Sequence, residues 1–189
     1  MMIRPDLSEQ LIHLTKGETL ADAEKAFRSI LSNRALIGGN GHVRGGYYVV
    51  CFSEAPVEVV ARIFSNPEIP CFRYRPFGVM LPKAWLFERG GLPVIYQPDT
   101  YFDVLPEQLK YRHVRLEEPG GPKDFTFERE WRIQTKRLDL DPLKCTLIVP
   151  TRNWDYKLRD EHAQADMREA SAFALNPFER MSDFSWHVL

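Results

Sequence analysis

The fold prediction starts from Asp124-Phe125-Thr126-Phe127-Glu128-Arg129-Glu130-Trp131-Arg132-Ile133-Gln134. Successive side chains of a β-strand point to opposite faces of its sheet. If the stretch is a strand, its apolar face consists of Phe125, Phe127, Trp131 and Ile133. Its charged face consists of Glu128, Glu130 and Arg132. Such a charged row is typical of an edge hairpin that stays soluble, or of a site whose carboxylates have a chemical task.

The length and composition favour one domain. A chain of 189 residues is long enough to bury a sizeable core, and we predict a single domain over 1–189, with a core at about 10–150 and a helical extension at 151–189. The net charge of -1 gives no overall attraction to nucleic acid. Three cysteines without a CxxC motif indicate buried thiols in a reducing compartment. No signal peptide or membrane-length apolar run is visible, so a cytoplasmic protein that does not enter a membrane is expected.

The order of the predicted elements indicates an α+β fold. Helices are expected at about 19–33 and 156–174, and shorter helical segments at 57–64, 83–89 and 106–111. Besides the opening stretch, strands are expected at 11–15, 47–52, 77–81, 92–96 and 145–149. Because these strands do not alternate regularly with long helices, a mixed, mainly antiparallel sheet with flanking helices is favoured over a doubly wound one.

The segment 38–46 contains five of the eleven glycines. A backbone this free is either an ordinary loop or a place where main chain approaches a ligand closely. Arg44 lies in this segment, and with His42 and His113 it provides a weaker alternative, a nuclease or phosphotransferase acting on phosphate. GxGxxG, P-loop, GxSxG and HExxH motifs are absent from the sequence. A triad of Ser53, His13 and Glu130 can be written down, but separation in sequence says nothing about contact.

Several polar residues on predicted strands follow a known order. His13 and Thr15 lie on the first strand, Tyr48 and Ser53 on a middle strand, and Glu130 on a late strand. This order resembles the ADP-ribosyltransferase fold, with a DarT-like outline. The resemblance implies that NAD is the substrate, that His13 and Thr15 hold its ribose and nicotinamide end, and that Tyr47 or Tyr48 and Ser53 lie near the nicotinamide.

The same resemblance assigns the catalytic role to Glu130, with Glu128 two residues earlier. Departure of nicotinamide builds positive charge on the ribose, and a fixed carboxylate is the physically suitable group to stabilise it. Arg44 completes the predicted NAD-binding set, and no metal is expected. Each of these residues also has a purely structural interpretation. His13 would be buried and hydrogen-bonded, Tyr48 would belong to the core, Ser53 would cap a helix, and Glu130 would only balance the charge of Arg132.

Four further stretches resemble the AbiGi type of abortive-infection protein, a phage-defence family. They are Val50-Cys51-Phe52-Ser53-Glu54-Ala55-Pro56, the segment from Phe77 to Trp85, Gly91-Leu92-Pro93-Val94-Ile95-Tyr96, and Glu128-Arg129-Glu130-Trp131-Arg132. The resemblance covers about 10–150. It implies a role in phage defence or a toxin–antitoxin system, with a nucleic-acid or protein acceptor and a cognate toxin or antitoxin as partner. The alternative from another class is a non-catalytic binding or antitoxin module of the same fold.

Overall fold

A computed structural model describes residues 8–57, 59–60, 74–119 and 124–168, with side chains described up to 161. Its helices are α1 (Leu20–Asn33), α2 (Lys83–Phe87) and α3 (Arg152–Arg168), and short 3-10 turns cover Asp99–Tyr101, Glu107–Arg112 and Thr126–Glu128. Its strands are β1 (Gln10–Lys16), β2 (Ala35–Ile37), β3 (Val49–Ser53), β4 (Tyr74–Pro82), β5 (Leu92–Pro93), β6 (Ile95–Gln97), β7 (His113–Arg115), β8 (Glu130–Gln134), β9 (Arg137–Asp139) and β10 (Thr146–Ile148).

The chain divides into two compact units, each built from separate segments. The first unit takes the described residues of Met1–His13, Ala35–Pro56 and Pro82–Asp139. The second takes those of Leu14–Arg34, Val57–Leu81 and Leu140–Leu189. Strand β1 therefore contributes its first half to one unit and its last residues to the other.

In the first unit, the strand order is β1-β3-β8-β5. All three pairings in this order are antiparallel. Two smaller pairs accompany them, β2 with β9 antiparallel and β6 with β7 parallel. The core of this unit includes Leu11, Val50, Phe52 and Leu86, which are nearly inaccessible to solvent.

In the second unit, the strand order is β10-β4-β1, with β10 and β4 antiparallel. Helix α1 begins with a capping box, in which the Thr19 hydroxyl accepts the Asp22 N–H and the Asp22 carboxylate accepts the Thr19 N–H. The fully buried rings of Phe27 and Phe77 pack at 5.5 Å, and Trp154 of α3 meets Phe77 edge-on at 5.1 Å. Aromatic packing of this kind holds α1 and α3 to the strands of this unit.

The α+β class, the mainly antiparallel sheet, the first strand and the first helix are confirmed. The prediction for the opening stretch is wrong in its first half. Thr126–Glu128 form a 3-10 turn, Arg129 has a left-handed backbone (φ 46°), and the strand begins only at Glu130. Phe125 and Phe127 are consequently exposed rather than packed in a core.

The first of the two interpretations of this strand, an edge hairpin with a solvated charged face, is wrong. Strand β8 is an interior strand, paired with β3 on one side and β5 on the other. Trp131, Arg132 and Ile133 are all less than 9% exposed, so both faces of β8 are covered. The edge-hairpin interpretation therefore does not apply, and the charged side chains of β8 must find partners inside the protein.

Other boundaries differ because short strands carry little pattern. The strand predicted at 92–96 is two strands, β5 and β6. Strand β5 pairs with β8, and the Val94 N–H donates to the Glu130 carbonyl, whereas residues 95–97 pair with β7 instead. Strand β7 lies between the strands predicted at 92–96 and in the opening stretch, where the sequence predicts no strand. Of the helix predicted at 57–64, the structure describes residues 57 and 59–60, which are helical. The rest of that helix, Cys71 and the end of the helix predicted at 156–174 lie outside the described residues.

Candidate functional site

Three stretches that the sequence singled out become neighbours in the first unit. Strand β1 carries His13, β3 ends at Ser53, and β8 begins at Glu130, and these strands are adjacent in the order β1-β3-β8. Ser53 lies opposite Ile12 on one side and opposite Glu130 on the other. Residues far apart in sequence thus form one row across the sheet.

The Glu130 carboxylate is held by Arg132 of the same strand. Arg132 Nε donates to Glu130 Oε1 at 2.8 Å and Nη2 donates to Oε2 at 3.1 Å, which is a bidentate arrangement. Arg132 Nη1 donates to the carbonyls of Tyr111 and His113, each at 2.9 Å. Burial by itself lowers the pKa of Arg132, but the charge and hydrogen bonds of Glu130, together with Cys51, outweigh it, and the net shift of the pKa is upward. The guanidinium therefore stays charged, and its four hydrogen bonds fix the pair in place.

Two neighbouring groups secure the backbone around this carboxylate. The Tyr96 hydroxyl accepts the Glu130 N–H at 3.0 Å and donates to the Phe125 carbonyl at 3.3 Å. Burial, together with the nearby Glu130 and Glu128 charges, raises the pKa of Tyr96 to about 12. The Ser53 hydroxyl donates to the Glu128 carbonyl at 2.6 Å and accepts the Ala55 N–H at 3.1 Å. The turn that precedes β8 is thereby tied to the end of β3.

His13 lies on the other face of the sheet from Glu130. Residues directly opposite each other in an antiparallel pair share a face, and neighbours along a strand alternate. Ser53 pairs with Ile12 and with Glu130, whereas Phe52 pairs with Trp131 and its ring meets the His13 ring at 5.7 Å. The two predicted site residues are therefore neighbours in the sheet but point to opposite faces.

The His13 ring has a defined tautomer. Its Nδ1 lies 2.8 Å from the Cys51 carbonyl oxygen, which can only accept, so Nδ1 carries the proton and donates it. Nε2 is then the acceptor nitrogen while the ring is neutral. Thr15 belongs to the second unit, where it is 4% exposed and its hydroxyl donates to the Phe77 carbonyl at 3.0 Å. In both residues a polar side-chain group holds a neighbouring strand.

The predicted residues before β3 occupy the surface of the first unit. Tyr47 donates a hydrogen bond to Glu107, and Tyr48 is 41% exposed with the Lys136 ammonium 5.2 Å from its ring. The core interpretation of Tyr48 is therefore wrong. Arg44 lies over the Phe102 ring at 4.4 Å and forms an ion pair with Asp99 at 3.3 Å.

Two of the three residues proposed for phosphate chemistry, Arg44 and His113, lie beside the Asp99 carboxylate. Arg44 Nη1 and His113 Nε2 are 3.3 Å and 3.8 Å from Asp99 Oδ1, and Arg115 Nε is 3.6 Å from Oδ2. His42 lies in the exposed turn of the glycine-rich segment. A carboxylate at the centre of these side chains offsets the positive charge of Arg44 and Arg115 that a phosphate would need, so the arrangement does not favour the nuclease alternative.

One polar cluster of the first unit was not anticipated from the sequence. Glu54 accepts from Lys83 Nζ at 2.7 Å on Oε1 and from Trp131 Nε1 at 3.1 Å on Oε2. Lys83 Nζ also donates to the Ser8 carbonyl at 3.1 Å. The sequence signal was a carboxylate just after a strand, but nothing in it links positions 54, 83 and 131. We call Glu54, Lys83 and Trp131 the Glu54 cluster.

Comparison with known proteins does not add a relative. The chain matches no protein-family model, no curated protein and no solved structure. Among the described residues, no group of three or more His, Cys, Asp or Glu side chains is placed to bind a metal ion. No helix in the described part of the chain is long and apolar enough to cross a membrane. The chemistry of the site therefore rests on its geometry.

Proposed function

We propose that this chain is an NAD-dependent, ADP-ribosyltransferase-like protein of phage defence or of a toxin–antitoxin system, which modifies a nucleic acid or a protein. One observation carries the proposal: the strands with His13, Ser53 and Glu130 are adjacent in one antiparallel sheet. The resemblance to ADP-ribosyltransferases assigns residues on all three of these strands to the NAD site. The AbiGi-like stretches supply the link to phage defence.

The proposed reaction breaks the bond between the ribose C1′ and the nicotinamide nitrogen. The bonding electrons leave with nicotinamide, and the positive charge on the ribose is stabilised by a fixed carboxylate. A nucleophilic atom of the acceptor then bonds to C1′ and releases its proton to solvent. The resemblance assigns the carboxylate role to Glu130, with Glu128 as its companion in the turn before β8.

A specific observation favours a second candidate, a non-catalytic binding or antitoxin module with the same sheet. Both oxygens of Glu130 are engaged by Arg132, which itself holds two backbone carbonyls. A carboxylate used in this way stabilises the protein whether or not a reaction takes place. In this case the partner is a cognate toxin or antitoxin, and NAD has no specific site.

NAD binding separates the two candidates. A ligand present at a hundred times its Kd stabilises the folded state by about 2.7 kcal/mol, which for a chain of this size is roughly 5–11 °C in melting temperature. We expect NAD at millimolar concentration to raise the melting temperature, and His13→Ala to weaken that rise. His13→Asn is the matched control for stability, because its amide can still donate to the Cys51 carbonyl. A melting temperature that NAD leaves unchanged supports the binding module instead.

A further inference from the structure

The glycine-rich segment lies against a neighbouring turn of the first unit. Its start is anchored by backbone hydrogen bonds from Gly38 and Gly39 to the strands beside them. Residues 40–46, which we call the strap, follow this anchor and are exposed except for the half-buried Val43. The backbone hydrogen bonds of the strap, donated by Val43 and Gly46, both stay within it. In the described part of the chain, side chains therefore hold the strap to the rest of the unit.

Two side chains keep the strap closed. Arg44 Nη1 donates to the Asp99 carbonyl at 2.8 Å, and the Arg44 guanidinium lies 4.4 Å from the centre of the Phe102 ring. Directly after the strap, the Tyr47 hydroxyl donates to the Glu107 carboxylate. The Arg44 and Glu107 side chains are 40% and 68% exposed. Because polar contacts this open contribute little to stability, the closed strap is held weakly.

A buried histidine shares Asp99 and Phe102 with Arg44. The His113 side chain is 2% exposed, and its ring meets the Phe102 ring edge-on at 5.3 Å. Arg44 Nη1 and His113 Nε2 approach the same oxygen, Asp99 Oδ1, at 3.3 Å and 3.8 Å. The longer distance is not a hydrogen bond, and His113 Nε2 has no hydrogen-bond partner among the described residues. A buried polar atom without a partner destabilises the conformation that buries it.

The closed strap depends on a backbone conformation that favours glycine. Gly45 and Gly46 have left-handed φ angles of 86° and 73°. A Cβ on Gly45 would overlap the Tyr47 ring and lie 3.3 Å from Phe102 Cζ, whereas a Cβ on Gly41 would meet nothing within 4 Å. The strap therefore contains one glycine that the closed conformation requires and one that it does not.

We propose that the strap is a lid, which opens in solution and gives polar solutes access to His113. Opening hydrates His113 Nε2 and restores conformational freedom to a segment that contains three glycines. It breaks contacts of exposed side chains, while the backbone hydrogen bonds within the strap can remain. Such a local opening has a lower free energy than global unfolding. The inference does not depend on the proposed NAD chemistry, because the access of solutes to His113 is measured without NAD.

Acylation by diethyl pyrocarbonate, followed by mass spectrometry, tests this opening, because the reagent modifies an imidazole only where it can reach the ring. In the wild-type chain at neutral pH, we expect His113 to react more slowly than the exposed His42. The rate at His113 should change little in urea below the unfolding transition. Gly45→Ala disfavours the closed strap and should accelerate the reaction of His113 by about tenfold or more. Gly41→Ala adds the same methyl group without a contact, so the rate should stay within about twofold of wild type.

Arg44→Gln covers the case in which Gly45→Ala does not fold, because it removes the guanidinium that holds the strap and leaves the backbone unchanged. Its control is Arg28→Gln, which removes an ion-pair arginine of similar exposure, 39% compared with 40%, in the second unit. An acceleration of about threefold at His113 in Arg44→Gln alone supports the proposal, and an unchanged rate overturns it. Equal rates at His113 in folded Gly45→Ala and Gly41→Ala overturn it as well. So does a wild-type rate that follows the urea dependence of global unfolding, or one that equals the rate at His42.

Discussion

Replacing Glu130 by Gln should destabilise the protein strongly, because Arg132 then remains buried without its counter-ion. The side chains of the pair are 11% and 8% exposed, so solvent screens them little. Removing one partner of a buried ion pair typically costs about 3–5 kcal/mol. Gln keeps one acceptor oxygen for Arg132, so we expect a cost at the lower end of this range, about 3 kcal/mol. The cost does not fall below the range, because the Gln amide group faces the second Arg132 donor. At about 2–4 °C per kcal/mol for this chain length, the melting temperature should fall by roughly 6–12 °C.

The chain offers a matched control in the Arg137 and Asp139 pair. It has the same two-residue spacing on a strand, with Arg137 Nε 2.6 Å from Asp139 Oδ1, but its side chains are 49% and 77% exposed. Exposed pairs contribute about 0–1 kcal/mol, so Asp139→Asn should hardly change the unfolding midpoint. Urea unfolding of both variants measures the difference, provided that the slope with denaturant stays constant.

A double-mutant cycle tests the same buried pair from the other side. Arg132→Met in the Glu130→Gln background removes the uncompensated charge, and replacement of buried ion pairs by apolar groups is often close to neutral. The double variant should therefore recover part of the stability lost in Glu130→Gln. If Glu130→Gln is no less stable than Asp139→Asn, then Arg132 does not depend on Glu130 as a buried counter-ion.

Single contacts lead to three smaller predictions. Thr19→Ala removes the capping box of α1 and should lower the melting temperature by a few degrees, with faster amide exchange at Asp22; an unchanged exchange rate contradicts this. Thr15→Val should cost about 1 kcal/mol because the Phe77 carbonyl loses a buried donor, whereas Thr15→Ser should not; equal effects would show that the hydroxyl is not what matters. Folding raises the pKa of Tyr96 from its ordinary value of 10.0 to about 12, so the folded state binds the phenol proton more tightly than the unfolded state. The free energy of unfolding should therefore fall as pH rises from 10 towards 12, by about 1–2 kcal/mol after allowance for partial exposure. A Tyr96→Phe variant whose stability falls equally steeply over this pH range, measured by denaturant unfolding, contradicts this prediction.

The parts of the fold with a strong local pattern could be predicted from the sequence. Helix α1 has a capping residue, an acidic first turn and apolar residues at helical spacing, and it begins within a residue of the expected position. Strands β2, β7 and β9 have three residues each, too few to show an alternation. Their pairing depends on partners that are distant in sequence.

The stretch before β8 shows why alternation can mislead. Phe125, Phe127 and Glu128 fit a strand pattern, yet the chain turns there and Arg129 adopts a left-handed backbone. Asp124 favours such a turn, and its carboxylate accepts the Thr126 N–H at 2.9 Å. Arg129, by contrast, gives no sign of its left-handed backbone, because Arg does not favour positive φ. The buried position of Arg132 was equally unexpected, since a charged residue enters a core only when partners far along the chain, here two backbone carbonyls, accept its donors.

The candidate site could be predicted only in part for a related reason. The motifs identified the strands that become neighbours, but they did not determine which face each side chain occupies. A shift of one residue in register moves a side chain to the other face, so the separation of His13 from Glu130 depends on the pairing of Ile12 with Ser53. The Glu54 cluster likewise depends on contacts across 29 and 77 positions of sequence.

Nicotinamide release from NAD by the purified wild-type chain is the decisive measurement for the proposed NAD chemistry. We predict release above a no-enzyme control, unaffected by a chelator, with the ADP-ribose recovered on an added nucleic acid or protein or as the free hydrolysis product. Release indistinguishable from the no-enzyme control, from a sample that unfolds cooperatively and is offered both classes of acceptor, contradicts it.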